Sequence, residues 1–175
     1  MLRTFFPEDA SALAHDLSNV TSLFYGLMLQ VTAEHVGPDA VDALSQQVFY
    51  RLGRAKSRAT RNGKAAQHAF HGDARDMVTI LIAAIYNASP EYEFQVLRFE
   101  PDLCEVRLSG VDRYYRAANL LGIAHTLTWP TLHPFFEGIN DELGLGCQVA
   151  SQIEERDGVE RMDARYKFER TGGVA

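Results

Sequence analysis

Leu13, Leu17, Val20, Phe24, Leu27, Met28 and Val31 recur at spacings of three and four, which stacks them on one side of a helix. Pro7, Glu8 and Asp9 suit its first turn, where a missing N–H costs nothing and acids complement the dipole, and Gly37-Pro38 stops it. The pattern predicts an amphipathic helix with this row turned to the core. Asp39 opens a second helix whose Val41, Leu44, Val48, Leu52, Ala55 and Ala59 are predicted to face inward, until Asn62-Gly63 ends it. The two form a helical hairpin. After a loop over 64–72, Asp73 caps a third helix, whose Met77, Ile80, Leu81, Ala84 and Ile85 leave almost no polar side and place it in the core.

Ser89-Pro90 breaks this period, and the next segments alternate in twos. Strands are predicted over 93–100 and 104–109, either side of Pro101-Asp102, with Cys104, Val106 and Leu108 on one face and Glu105, Arg107 and Ser109 on the other. Helical spacing returns over 111–121 and from about Trp129 to Leu143, with Pro130 in the first turn of the latter and Gly144 at its end. Two last strands, 147–155 and 159–170, flank Arg156-Asp157-Gly158, a strong hairpin signal. Met162, Ala164, Tyr166 and Phe168 point one way and Arg161, Asp163, Arg165 and Lys167 the other, so a slip of one residue would bury four charges. The expected fold is α+β: an antiparallel four-stranded sheet from two hairpins, covered by the N-terminal helical hairpin and further helices. It reads as one domain over 1–175, with 1–7 and 171–175 as flexible ends.

Composition narrows the function. A net charge of −6 argues against nucleic acid as a partner, since such binding needs clustered cations to neutralise phosphates. The exception is Arg51, Arg54, Lys56, Arg58, Arg61 and Lys64, which either build an anion site or form the solvated end of the second helix. No apolar run has the length of a membrane span or a signal peptide, so a cytoplasmic protein with no membrane partner is expected. The two cysteines, Cys104 and Cys147, fall on strands without metal-ligand spacing and are expected to be reduced and buried. Nucleotide, nucleophile-elbow and zinc-protease motifs are missing, and no cofactor is expected.

Three groupings offer chemistry. His68, His71 and Asp73 put three possible metal ligands in six residues, although Asp73 also has its capping role. Around 125–137, His125, Trp129, His133 and Glu137 combine aromatic bulk with titratable groups; His133 and Glu137 share a helical face, where the carboxylate orients the imidazole as a general base. Tyr114 and Tyr115 beside Arg113 and Arg116 suit a carboxylate or a planar ligand, with one tyrosine at most serving a given site.

The segments Gly37 to Val41, Tyr50 to Arg54, Glu100 to Arg107, Ala117 to Gly122 and Arg165 to Phe168 together resemble the L-2-amino-thiazoline-4-carboxylic acid hydrolase-like proteins over roughly residues 20–170. Family members often carry cysteines where this chain has Val111-Asp112-Arg113 and Met162-Asp163-Ala164. From Phe136 to Phe168 the chain also resembles the 4-vinyl reductase domain, a small-ligand-binding module. Both resemblances imply helices on an antiparallel sheet with a ligand cavity between the layers. The first implies a hydrolase of a C=N or amide-type bond in a small cyclic carboxylate, with His133 as base, Glu137 as its partner or proton donor, and Arg54 as anion clamp. Trp129, Tyr115, His125 and Tyr166 are expected to line the substrate site, with Ala164 leaving room for it. The second implies a binding or sensory module without turnover, joined as a homodimer through the two long N-terminal helices.

Overall fold

The computed structural model describes residues 9–63, 70–88, 92–155 and 161–171. Helix α1 (Ala10–His35) starts where the Asp9 carboxylate accepts the Ala12 N–H at 2.8 Å. Its buried side is Ser18, Ser22, Tyr25 and Leu29, a row with the same three-and-four spacing as the apolar row. The row from Leu13 to Val31 is turned outward, opposite to expectation. The cause is close packing: Gly26 lies against α4 (Arg113–Leu120), and a Cβ there would stand 2.8 Å from Leu121 Cδ1 and 3.4 Å from Ala117 Cβ. Ser18, Ser22 and Gly26 are the small residues of that side, and bulkier ones would hold the two helices apart.

Helix α2 (Asp39–Asn62) shows the same rotation. It buries Val41, Ser45, Phe49, Gly53 and Ser57, every fourth residue, while Leu52, Ala55 and Ala59 are exposed and Leu44 and Val48 are half-buried. Here the neighbour is α5 (His133–Leu143). A Cβ on Gly53 would overlap the Phe135 carbonyl, and one on Gly138 the Tyr50 carbonyl, so the two backbones are in contact. Tyr25 binds α1 to α2 through its hydroxyl, 2.5 Å from Ser45 Oγ, and through an edge contact with Phe49 at 5.5 Å.

Helix α3 (Arg75–Ala88) is a core element as its composition requires, with Met77, Val78 and Ile80 fully buried. The sheet comprises β1 (Tyr92–Phe99), β2 (Leu103–Val111), β3 (Cys147–Glu155) and β4 (Arg161–Arg170), all antiparallel in the order β1-β2-β4-β3. Leu108 stands opposite Ala164 and Val106 opposite Tyr166, so the inner rows of β2 and β4 share one face. On the outer face Arg107 makes two hydrogen bonds to Asp163, at 2.8 and 2.6 Å. The register read from alternation is the one present. The Arg156-Asp157-Gly158 turn and residues 1–7 and 172–175 lie outside the described residues.

Helix α5 begins at His133 with Pro134 in its first turn, four residues after the expected start. Trp129-Pro130 is instead a cis peptide in the preceding loop. Gly144, at φ 64°, ends α5 as expected, and the Asn140 amide then donates to the Cys147 carbonyl at 2.9 Å and accepts its N–H at 2.8 Å. Phe136 lays α5 on the sheet, 4.5 Å from the Tyr166 ring and 5.4 Å from Phe168. Among the described residues no helix is long and apolar enough to cross a membrane.

Candidate functional site

The junction of β2 and α4 gathers buried polar groups. Asp112 caps α4: one carboxylate oxygen accepts the Tyr115 N–H at 3.1 Å and the other accepts the Thr131 hydroxyl at 2.8 Å. Its complete burial raises its pKa, because a desolvated carboxylate favours the neutral form. Arg113, the first residue of α4, is buried beside it; Nη1 donates to Ser18 Oγ and Nη2 to the Tyr114 hydroxyl at 2.7 Å, with the guanidinium 4.6 Å from the Tyr114 ring centre. Tyr114 meets Tyr25 and Phe49 edge-on at 5.2 and 5.0 Å, which fixes its orientation.

Against this junction lies a cavity of about 80 Å³ between α2, α3, α4, α5 and β1. Phe49, Leu52, Leu81, Leu132 and Phe135 supply its apolar wall, while Lys56, Tyr92, Arg113 and Tyr114 supply the polar one. Tyr92 is 5% exposed, and its hydroxyl has no hydrogen-bond partner among the described residues. Burial, with Asp112 nearby, pushes its pKa well above the ordinary range, so it stays a neutral phenol able to donate or accept. A desolvated hydroxyl without a partner costs about 1–3 kcal/mol, which makes it the unfinished contact of the site.

A second, open cleft of about 320 Å³ contains three of the residues predicted from sequence. His133 Nε2 is 3.6 Å from Glu137 Oε1 on the first turn of α5, and Trp129 forms part of the same lining. The loop before α5 is tied to α2 by Asp42, which accepts the Thr128 N–H at 2.7 Å and the Thr128 hydroxyl at 2.9 Å. Tyr115 does not line the cleft; it backs Trp129 edge-on, ring centres 6.2 Å apart.

The other predicted residues lie elsewhere. Arg54 is not with His133: its Nε donates to Glu142 at 3.0 Å near the far end of α5, where Arg58 and Arg61 approach the same carboxylate at 3.6 and 3.9 Å. That acceptor explains why Arg54 is not available as a clamp in the cleft. His125 is exposed on a 3₁₀ turn (Ala124–Thr126) and lines neither space. Tyr166 is fully buried in the core, its hydroxyl 3.8 Å from Met162 Sδ, and Ala164 is equally buried opposite Leu108. Neither residue lines the cavity or the cleft. Of the candidate metal ligands, His68 lies outside the described residues, His71 is exposed, and the Asp73 carboxylate is taken by Arg75 at 2.6–3.2 Å, which lowers its pKa. Among the described residues no group of three or more His, Cys, Asp or Glu is placed to hold a metal ion.

The sequence therefore points to Tyr115 where Tyr114 lines the cavity, names Lys56 only within the cationic run from Arg51 to Lys64, and passes over Tyr92. The Arg-Tyr-Tyr-Arg run was the available signal for Tyr114; a tyrosine opening a strand gives none for Tyr92. Comparison of the chain with protein-family models, curated proteins and solved structures finds no match.

Proposed function

We propose that this chain is a small-molecule-binding module whose ligand is a monocarboxylate with a compact apolar body, held in the cavity beside α4. The observation that carries the reading is a mostly apolar space whose lining residues include the cations Arg113 and Lys56 and a tyrosine, Tyr92, with a buried hydroxyl that has no partner among the described residues. Few convergent polar groups in an apolar cavity between layers is the ordinary form of a ligand site. Arg113 and Lys56 supply positive charge for the carboxylate and Tyr92 one hydrogen bond, while Phe49, Leu81 and Phe135 receive the apolar part. The space, about 80 Å³, is small, which suits a short alkyl or small planar group. Two buried, unpaired cysteines fit a reducing compartment, and we place the protein in the cytoplasm.

The hydrolytic reading has the His133–Glu137 pair in its favour, with a base and its orienter in one open cleft. It lacks a cation for a carboxylate substrate: among the described residues no arginine or lysine lines that cleft, and Arg54 is held by Glu142. The binding reading needs no such addition.

The test is a thermal-shift series with short alkyl and aryl monocarboxylates against their amides. Acids are expected to raise Tm and the amides to do so less, and Tyr92→Phe should weaken binding about tenfold, the worth of one hydrogen bond. A panel without any stabilising acid at millimolar concentration, or one bound equally by Tyr92→Phe and by a Lys56→Gln variant, overturns the proposal.

A further inference from the structure

Six residues on the outer side of α1, Leu13, Leu17, Val20, Phe24, Leu27 and Val31, follow one another at spacings of four, three, four, three and four. This is the repeat of 3.5 that keeps a seam facing a partner helix, in which alternate residues take the two inward positions of a heptad. Each of the six is between 43% and 65% exposed. Leu23 and Met28 flank the seam and are 49% and 45% exposed. The opposite side of the same helix is already in use, since Ser18, Ser22, Tyr25 and Leu29 seat it on the body. An ordinary surface helix has one apolar side and turns it inward; α1 has a second, larger one turned out.

We infer that the outer face of α1 is the interface with a second copy of this chain, the two α1 helices pairing along this seam. Eight side chains of this size, each about half exposed, expose roughly 800 Å², above the 300–600 Å² patch usual on a monomer and equal to about one partner's share of a standard interface. The seam is also complementary to itself. With the helices antiparallel about a two-fold axis between Val20 and Phe24, Phe24 meets Val20 of the partner subunit, large against small, and Leu17 meets Leu27 of the partner subunit. Every layer then pairs one heptad position with the other.

Charge decides against a membrane surface as the occupant. Helices that lie on anionic lipid carry lysine and arginine beside their apolar face. From Ala10 to His35 there is neither, and the charged residues are Asp16 and Glu34. The positions flanking the seam are Ala14, Thr21, Leu23, Met28 and Gln30, which a like helix covers without opposing charges, and only Asp16 interrupts them.

Sedimentation equilibrium of the full chain across the micromolar range tests this. The expected mass is that of two chains, and Phe24→Glu or Leu17→Glu should weaken association by about thirtyfold or more, as loss of a central apolar contact does. Because both side chains are exposed in the single chain, circular dichroism of these variants should match the parent. Leu120→Glu, at a 79% exposed site on α4, should leave the dimer intact. A monomer at the highest concentration, a dimer indifferent to both α1 variants, or a monomer that co-sediments with anionic vesicles overturns the inference.

Discussion

Gly53 and Gly138 make the same contact in opposite directions: each presents its bare Cα to a backbone carbonyl of the other helix, Gly53 to Phe135 and Gly138 to Tyr50. The carbonyls belong to backbone, which unlike a side chain tip has no rotamer in which to move aside. The pair sets the spacing between α2 and α5, and with it the distance between the Phe49 and Phe135 walls of the cavity.

Either glycine replaced by alanine should therefore destabilise the fold by about 3 kcal/mol, the upper range for overpacking, in spite of alanine's better helix propensity. Urea denaturation of Gly53→Ala and Gly138→Ala measures it. A loss below about 1 kcal/mol would mean that the helices separate easily, because propensity alone favours alanine by about that much.

The same two glycines show what was legible in the sequence. Strand register could be read because alternation puts Arg165 and Lys167 on one face and Tyr166 and Phe168 on the other, and a slip is forbidden by burial of charge. Helix orientation could not. In α1 and α2 the rows that pack inward contain Ser18, Ser22, Ser45, Gly53 and Ser57, small residues that hydropathy scores as surface. The apolar row of α1 is one helical face, as its spacing requires, but it lies outward where the spacing predicts a core face, since periodicity does not say on which side of the helix the body sits. At the site, His133 and Glu137 were placed together by helical spacing, whereas Arg54 is on the same helix pair yet meets Glu142, a contact 88 residues distant in sequence that no local pattern encodes.

Cys104 and Cys147 should resist modification in the native protein. Burial raises both thiol pKa values, that of Cys147 to about 11, so the reactive thiolate is scarce at pH 8 and the sulfur is out of reach of reagent. Titration with a thiol-reactive chromogen should find two groups in urea and a slow reaction at best without it. Rapid native labelling of Cys147 would show that the start of β3 opens readily, and labelling of Cys104 that the start of β2 does.

Tyr92→Phe should stabilise the ligand-free protein by about 1 kcal/mol, since it removes a desolvated hydroxyl that has no partner and leaves the ring in place. The same substitution lowers ligand affinity, so the order of stability of the two proteins should reverse as ligand is added. Paired urea titrations with and without ligand check this, and a variant less stable in both conditions would mean that the hydroxyl is hydrogen-bonded in the unliganded state.

Asp112 gives stability a pH dependence of a particular sign. Its pKa is raised in the folded state by burial, so between the ordinary aspartate value and that raised value the folded chain retains a proton that the unfolded chain has released. The contribution of this group to stability is then fully present below the ordinary value and is lost as pH rises through the raised one, the reverse of a salt-bridged carboxylate. Asparagine keeps an acceptor for the Tyr115 N–H and offers its amide to the Thr131 hydroxyl, which accepts as well as donates. Asp112→Asn should therefore match or exceed the parent at neutral pH and lose the descending slope above the ordinary aspartate range, whereas Asp112→Ala, without the cap, should lose the slope too and lie about 1–2 kcal/mol below the Asn variant at every pH. Unfolding free energies of the three proteins over a series of mildly acidic buffers separate these outcomes, and an Asn variant that is weaker at neutral pH would mean that the ionised carboxylate is the stabilising form.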